Sequence, residues 1–414
     1  MAFDRPDSVW GRFRPGDRVG LAGALGQPDG VLDALAAAPE AGRGLTFAGV
    51  WLPGVNDRDP SAGVPEARAE GIFIPAALRE GFAAGRVAHL PLHYSDAHRW
   101  VAGPARLGAA VMRVSAPVGG MVTPGLACDF WDAMMASGAD LIAEVCPAMP
   151  APPGAPRLPL SRFAAVVEGD GPLLTVETGE VPADLAAVAA RIAERIGPGD
   201  TVQLGIGKAA AAVLAALGGH RGLRYHAGLV IDAMVECLDT GVFSGGVVTG
   251  TAIGTQPLYD RVADEGGIRW ASAAHTHSHA VIAATPRFKA INSALEIDLF
   301  GQSNGETLRG RQISGTGGSG DFQRGARASE GGEAIVALPA TAAGGKVSRI
   351  KVGLTPVSIA AIPRADADVV VTEHGVAELR WKDVDARAEA LIGVAAPEFR
   401  DGLANEWDAL RRAL

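Results

Sequence analysis

Apolar and polar positions along this chain change rhythm twice in the same way. Residues 15–35 (PGDRVGLAGALGQPDGVLDAL) open on a Pro-Gly-Asp turn, alternate over a short strand, cross a glycine-rich turn and enter a helix-spaced apolar run. Residues 198–217 (PGDTVQLGIGKAAAAVLAAL) repeat that order with a one-residue gap, and both end Val-Leu-x-Ala-Leu. Strand, glycine turn and helix form the opening unit of a parallel α/β layer. The pattern predicts an α/β protein of two tandem open domains with similar topology, one over 1–185 and one over 186–414.

The join falls near 165–185, after a proline-rich excursion from Ala148 to Pro159 that reads as a surface loop. Residues 182–196 follow as an amphipathic connector helix. Pro182 suits its first turn, Leu185, Val188, Ile192 and Ile196 recur at helical spacing, and Gly197-Pro198-Gly199 stops it. Further strands are expected at 246–251, 279–284 and 333–338. The run ADVVVT (367–372) is continuous enough for a strand buried on both faces. The last thirty residues read as helices.

Composition narrows the class. Of 414 residues 55 are glycine and 27 proline, 48% are apolar and 20% charged, which excludes a disordered chain. The glycines keep no collagen period, no apolar run is long enough for a membrane helix, and the N-terminus has no apolar signal core. The net charge is −9 and the first 207 residues hold no lysine, so no nucleic-acid partner is expected. Cys128, Cys146 and Cys237 have no metal or redox spacing and read as buried thiols of a cytoplasmic protein.

Three stretches carry candidate chemistry. Gly205-Ile206-Gly207-Lys208 lies between a strand and a helix, where free amides and a lysine can hold an anion. It also fits G-x-G-x-x-A. A dinucleotide site needs an acid about 20 residues on, but the next strand ends at Gly228 and Asp232 comes later, inside the following helix. No nicotinamide cofactor is expected. Ser314-Gly315-Thr316-Gly317-Gly318-Ser319-Gly320 can form a nest of amides for a pyrophosphate or an oxyanion. Two such loops point together to a phosphorylated ligand. His275-Thr276-His277-Ser278-His279, if extended, would put three imidazoles on one face. With no acid or cysteine beside it, solvated histidines are the plainer reading and no metal is expected.

In order, the stretches VQLGIGKAAAAVLAAL, YHAGLVIDAMVECLDTGVF, NSALEIDLFGQSNGET, ISGTGGSGDFQRGA, ALPATAAGGKVSRI, VVTEHGVAELR and RAEALIGVAAPEFRDGL resemble the acetyl-CoA hydrolase/transferase family of class I CoA-transferases. Over the first half the resemblance rests on the first strand unit and on AALREGFAAGRVAHLPLH. It implies two related open α/β domains, often a homodimer, with an acyl-CoA substrate on the second domain. Gly205, Gly207 and Lys208 would belong to one CoA loop, and Ser314, Gly317 and Gly318 to the other.

The chain departs from that family where it matters most. The family's transferases attack the thioester with a glutamate in a stretch resembling His-Thr-Glu-Met-x-Ser-Asp-Gly. Here the stretch is His226-Ala227-Gly228-Leu229-Val230-Ile231-Asp232-Ala233, so Gly228 stands at the glutamate. The family's Pro-Pro-Asp-x-x-Gly is replaced by Ser115–Met121. Glycine cannot be a nucleophile. Glu306 is a possible substitute carboxylate. His226 is a possible general base, although packing at the strand end is its plainer role. Asp232 is expected to be structural. These residues favour hydrolysis of an acyl-CoA by water, at the thioester or at a carbon–carbon bond, over ping-pong transfer. The alternatives are transfer through another carboxylate and acyl-CoA binding without catalysis. Ala227, Gly228 and Ile231 also suggest a roomier apolar pocket for a bulkier acyl chain.

Overall fold

The computed structural model describes residues 3–413. Seven strands form the N-terminal sheet: β1 (Arg18–Leu21), β2 (Thr46–Gly49), β3 (Arg68–Gly71), β4 (Val87–His89), β5 (Ala109–Val114), β6 (Asp140–Val145) and β7 (Ala165–Glu168). Their order is β4-β3-β2-β1-β5-β6-β7 and every pairing is parallel. The C-terminal sheet has β8 (Thr201–Leu204), β9 (Arg224–His226), β10 (Val247–Thr249), β11 (Ile268–Trp270), β12 (Phe288–Ser293), β13 (Glu333–Ala337), β14 (Val369–Thr372) and β15 (Gly375–Glu378). Its order is β11-β10-β9-β8-β12-β13-β14-β15, and only the last strand runs antiparallel. Counted from its own first strand, each sheet is therefore wound 4-3-2-1-5-6-7, and the C-terminal sheet adds an eighth, antiparallel edge strand. The repeat seen in the sequence is a repeat of topology.

The helices that matter below are α1 (Asp29–Ala37), α2 (Tyr94–Ala102), α3 (Ala183–Ala193), α4 (Lys208–Ala216), α5 (Ala273–Thr276), α6 (His279–Ala283), α7 (Ser319–Ala328), α8 (Val384–Gly393) and α9 (Pro397–Arg411). The connector helix is α3, which starts one residue later than the pattern implies. Pro182 is extended (φ −62°, ψ 150°) and stands just before the helix. Strand β14 is buried throughout. Val369 and Val371 enter the core shared with α3 and α4, while Val370 enters the core beneath α8 and α9. The excursion from Ala148 to Pro159 is pinned at Met149 and Ala155, both buried in that first core.

Three expectations are corrected. Residues 279–284 are not a strand, and His275–His279 is not extended. Helix α5 ends before His277, and α6 begins at His279 with Ser278 capping it: its Oγ accepts from Val281 N at 3.5 Å. A serine cap ahead of an alanine-rich run outweighs a weak alternation. Asp232 also precedes its helix, and its Oδ1 accepts from Thr255 N and Oγ1 at 2.8 and 2.9 Å.

Backbone bonds tie the halves together. Cys128 N donates to Gly250 O (2.7 Å), Tyr94 N to Gly317 O (3.0 Å) and Ala273 N to Asp129 O (2.8 Å). Inside the N-terminal half, β5 and β6 are locked to α1 by charge. Glu144, fully buried, accepts from Arg113 Nε at 3.0 Å and from Val31 N at 2.9 Å. Removing the carboxylate leaves a buried guanidinium with Asp29 and the Pro172 carbonyl as its remaining partners. Glu144→Ala is expected to cost about 3–5 kcal/mol in urea melts, and a loss below about 1 kcal/mol would mean that Arg113 needs no buried partner.

Candidate active site

In an open α/β sheet, ligands bind beyond the carboxyl ends of the strands where the strand order reverses. In the C-terminal sheet that reversal lies between β8 and β12. The chain leaves β8 through Gly205-Ile206-Gly207 and enters α4 at Lys208. Gly207 has φ +94°, a conformation that side-chain-bearing residues rarely adopt. A cavity of about 280 Å³ opens there. Its walls are the first loop (Gly205, Ile206), one face of α3 and α4 (Leu185, Val188, Ile192, Ala210, Val213), the end of β12 (Asn292, Ser293) and the second loop from Ser314 to Ser319. Among the described residues no Asp, Glu, Lys, Arg or Cys lines it.

Gly205, Gly228, Ser314, Gly317 and Gly318 thus converge on one cavity, as the sequence suggested. Gly207, Lys208, His226 and Glu306 do not line it. Glu306 is buried behind the second loop, where its carboxylate accepts from Thr316 Oγ1 and Gln312 Nε2 at 3.2 Å each. His226 faces away, with Nε2 against Thr276 O at 2.9 Å, and burial pushes its pKa down to about 4.

The second loop lies tight against the N-terminal half. A methyl group on Gly315 would fall 1.8 Å from Ile72 O, so only glycine allows this approach. The amides of Gly315, Thr316 and Gly318 donate to no other protein group among the described residues. All three residues line the cavity.

Three residues that the sequence did not single out as catalytic complete the wall. His277 is buried between Tyr94 (ring centroids 4.4 Å apart) and Phe322 (4.6 Å). Tyr94 donates its hydroxyl to buried Asp129 at 2.6 Å, and burial with the Asp129 charge holds its pKa well above the usual phenol range. The histidine's ring edge is wedged between two glycines. A methyl on Gly228 would lie 2.7 Å from its Cε1, and one on Gly318 would lie 2.5 Å from its Nε2. Burial lowers the His277 pKa to about 3. The His-Thr-His-Ser-His run is the available signal, but its reading as three imidazoles on one face depends on an extended strand. Among the described residues no group of three His, Cys, Asp or Glu is placed to hold a metal.

The doubly repeated α/β winding with a glycine-lined cavity at the second switch point defines a CoA-transferase-like protein. A family model described as the acetyl-CoA hydrolase/transferase C-terminal domain matches residues 254–407. The chain is 32% identical over 400 residues to the 4-hydroxybutyrate coenzyme A transferase of Clostridium kluyveri, covering 94% of this chain and 93% of that one. Among solved structures it superposes on RipA from Yersinia pestis with a TM-score of 0.92 at 26% identity, over 99% of this chain and 97% of that one. It superposes on a 4-hydroxybutyrate CoA-transferase from Porphyromonas gingivalis with a TM-score of 0.80 at 29% identity, over the same shares. The chain belongs to the acetyl-CoA hydrolase/transferase family.

The neutral histidines make stability acid-sensitive. His226 and His277 stay unprotonated in the fold, whereas an unfolded histidine takes up its proton near pH 6.5. As pH falls below 6.5 the unfolded chain binds more protons, so each residue costs about 1.4 kcal/mol per pH unit, down to the folded pKa. Between pH 7.5 and 5, His277→Phe is expected to lose about 2 kcal/mol less than the unsubstituted protein in urea melts. Equal losses would place a protonated His277 in the native state.

Proposed function

We propose that this protein hydrolyses acyl-CoA thioesters by direct attack of water, with no acyl intermediate on a glutamate. One observation carries the reading: among the described residues no carboxylate lines the cavity wall, and the Gly228 position is closed by His277. A glutamyl anhydride needs a carboxylate within reach of the thioester carbon. The family resemblance puts that carboxylate at Gly228, and Glu306, the other candidate, lies behind the loop with its oxygens occupied.

The remaining parts suit water attack. A volume of about 280 Å³ is near the lower bound for small-molecule pockets, about 300 Å³. It accommodates the acyl group and the thioester, and the nucleotide end of CoA lies outside against the glycine loops. Leu185, Val188, Ile192 and Val213 favour an unbranched apolar acyl chain over a charged one. The free amides of Gly315, Thr316 and Gly318 are donors for the oxyanion of the tetrahedral intermediate. Such donors are worth about 10²–10³ in kcat each when removed.

Acetyl-, butyryl-, hexanoyl- and β-ketoacyl-CoA, each tested with and without acetate, separate the chemistries. The expected result is thiol release without acetate, fastest with butyryl- or hexanoyl-CoA, and no acetyl-CoA formed from the longer substrates. Acetyl-CoA appearing from butyryl-CoA and acetate would overturn the proposal.

Substitution at position 228 gives a second test. Gly228→Glu alone is expected to yield no transferase, because the new Cβ meets the imidazole. Gly228→Glu with His277→Ala removes that clash and is expected to yield measurable transfer. Transfer by the single variant would show that His277 yields its place.

A further inference from the structure

We infer that His277 is the general base of this site, taking a proton from the attacking water through Nε2. This assignment rests on the hydrolytic reading above and goes beyond it by naming the group that replaces the lost carboxylate.

Thr276 Oγ1 contacts Ser272 O at 3.3 Å and His277 Nδ1 at 2.9 Å. The base's tautomer is the one in which the hydroxyl donates to Ser272 O, Nδ1 donates to Oγ1 and Nε2 keeps its lone pair. Among the described residues Nε2 has no protein partner, yet it is not sealed from solvent as the buried unpartnered atoms are. It sits between Gly228 and Gly318, both on the cavity wall.

The ring is held in place from every side. Tyr94 and Phe322 cover its faces. Thr276 is fixed through Ser272, whose hydroxyl donates to Asp132 Oδ2 at 2.7 Å, and Asp132 Oδ1 lies 2.7 Å from His98 Nε2. His277 also borders a polar pocket with His93, Ser95, Asp96 and Ser278.

The step balances within the site. Nε2 takes a proton from water as the oxygen bonds to the thioester carbon, and the carbonyl oxygen becomes an oxyanion against the loop amides. When the tetrahedral intermediate collapses, the C–S bond breaks and the sulfur receives the proton from Nε2–H. Carboxylic acid and free CoA thiol leave, and the imidazole is neutral again. The imidazolium that forms in between is disfavoured by burial, but it lies against two aromatic faces that attract a cation. A base held this far below neutral pKa makes a slow hydrolase.

The test compares butyryl-CoA hydrolysis by the unsubstituted protein, His277→Gln and His277→Ala. His277→Gln is expected to lower kcat by about 10²–10⁴-fold with KM within about threefold. Its circular dichroism and gel-filtration profile should be unchanged. In His277→Ala, added imidazole is expected to restore part of the rate, which a packing role would not allow. Intact-mass spectra quenched during turnover should show unmodified protein. A His277→Gln rate within about threefold of the unsubstituted rate overturns the base while hydrolysis stands. An acyl adduct on His277 overturns it in favour of a covalent route. A folded protein that releases no thiol from any acyl-CoA, or only transfers, removes the hydrolytic reading and this assignment with it.

Discussion

The close approach of the two halves at His277 governs the site. One imidazole is pressed between Tyr94 from the N-terminal half and Phe322 from the C-terminal half. Its edge fits only because positions 228 and 318 have no side chains. The same contact region includes the Tyr94–Gly317 backbone bond and the approach of Gly315 to Ile72 O. Cavity shape, second-loop conformation and the register between the halves are therefore one constraint. A side chain at 228 and the imidazole at 277 compete for the same space.

That constraint gives the glycine-rich loops different roles. The first loop turns the chain from β8 into α4, with Gly207 in a left-handed conformation. The second loop is glycine-rich chiefly because it is crowded: Ile72, Phe73 and His277 occupy the space where side chains would go. An amide-rich wall results as much from close packing as from anion binding. Lys208, which reads in sequence as part of a phosphate loop, lies at the start of α4 and off the cavity wall.

The electrostatics are those of a pocket walled largely by apolar groups. Buried His226 and His277 are held neutral, and Tyr94 keeps its proton against Asp129. Among the described residues the cavity wall carries no formal charge, so its fixed polar groups are neutral side chains and backbone dipoles. Dipoles held by packing cost no reorganisation. The apolar faces of α3 and α4 complete this environment.

The sequence by itself determined the α/β class, the repeat of strand, glycine turn and helix, both glycine loops, and the absence of a side chain at 228. These features are local: turn chemistry, apolar period and residue identity are properties of a few neighbouring positions. The tertiary structure decided what those positions face. Residues 275–283 fold as two short helices because Ser278 caps the second and Ile282 is buried, so the histidine run never becomes a metal-binding strand. Glu306 and His226 carry the right functional groups, yet neither lines the cavity. His277 gained its place through Tyr94 and Asp129, which lie more than a hundred residues away in the chain. Burial and tautomer depend on such distant partners, and no local pattern encodes them.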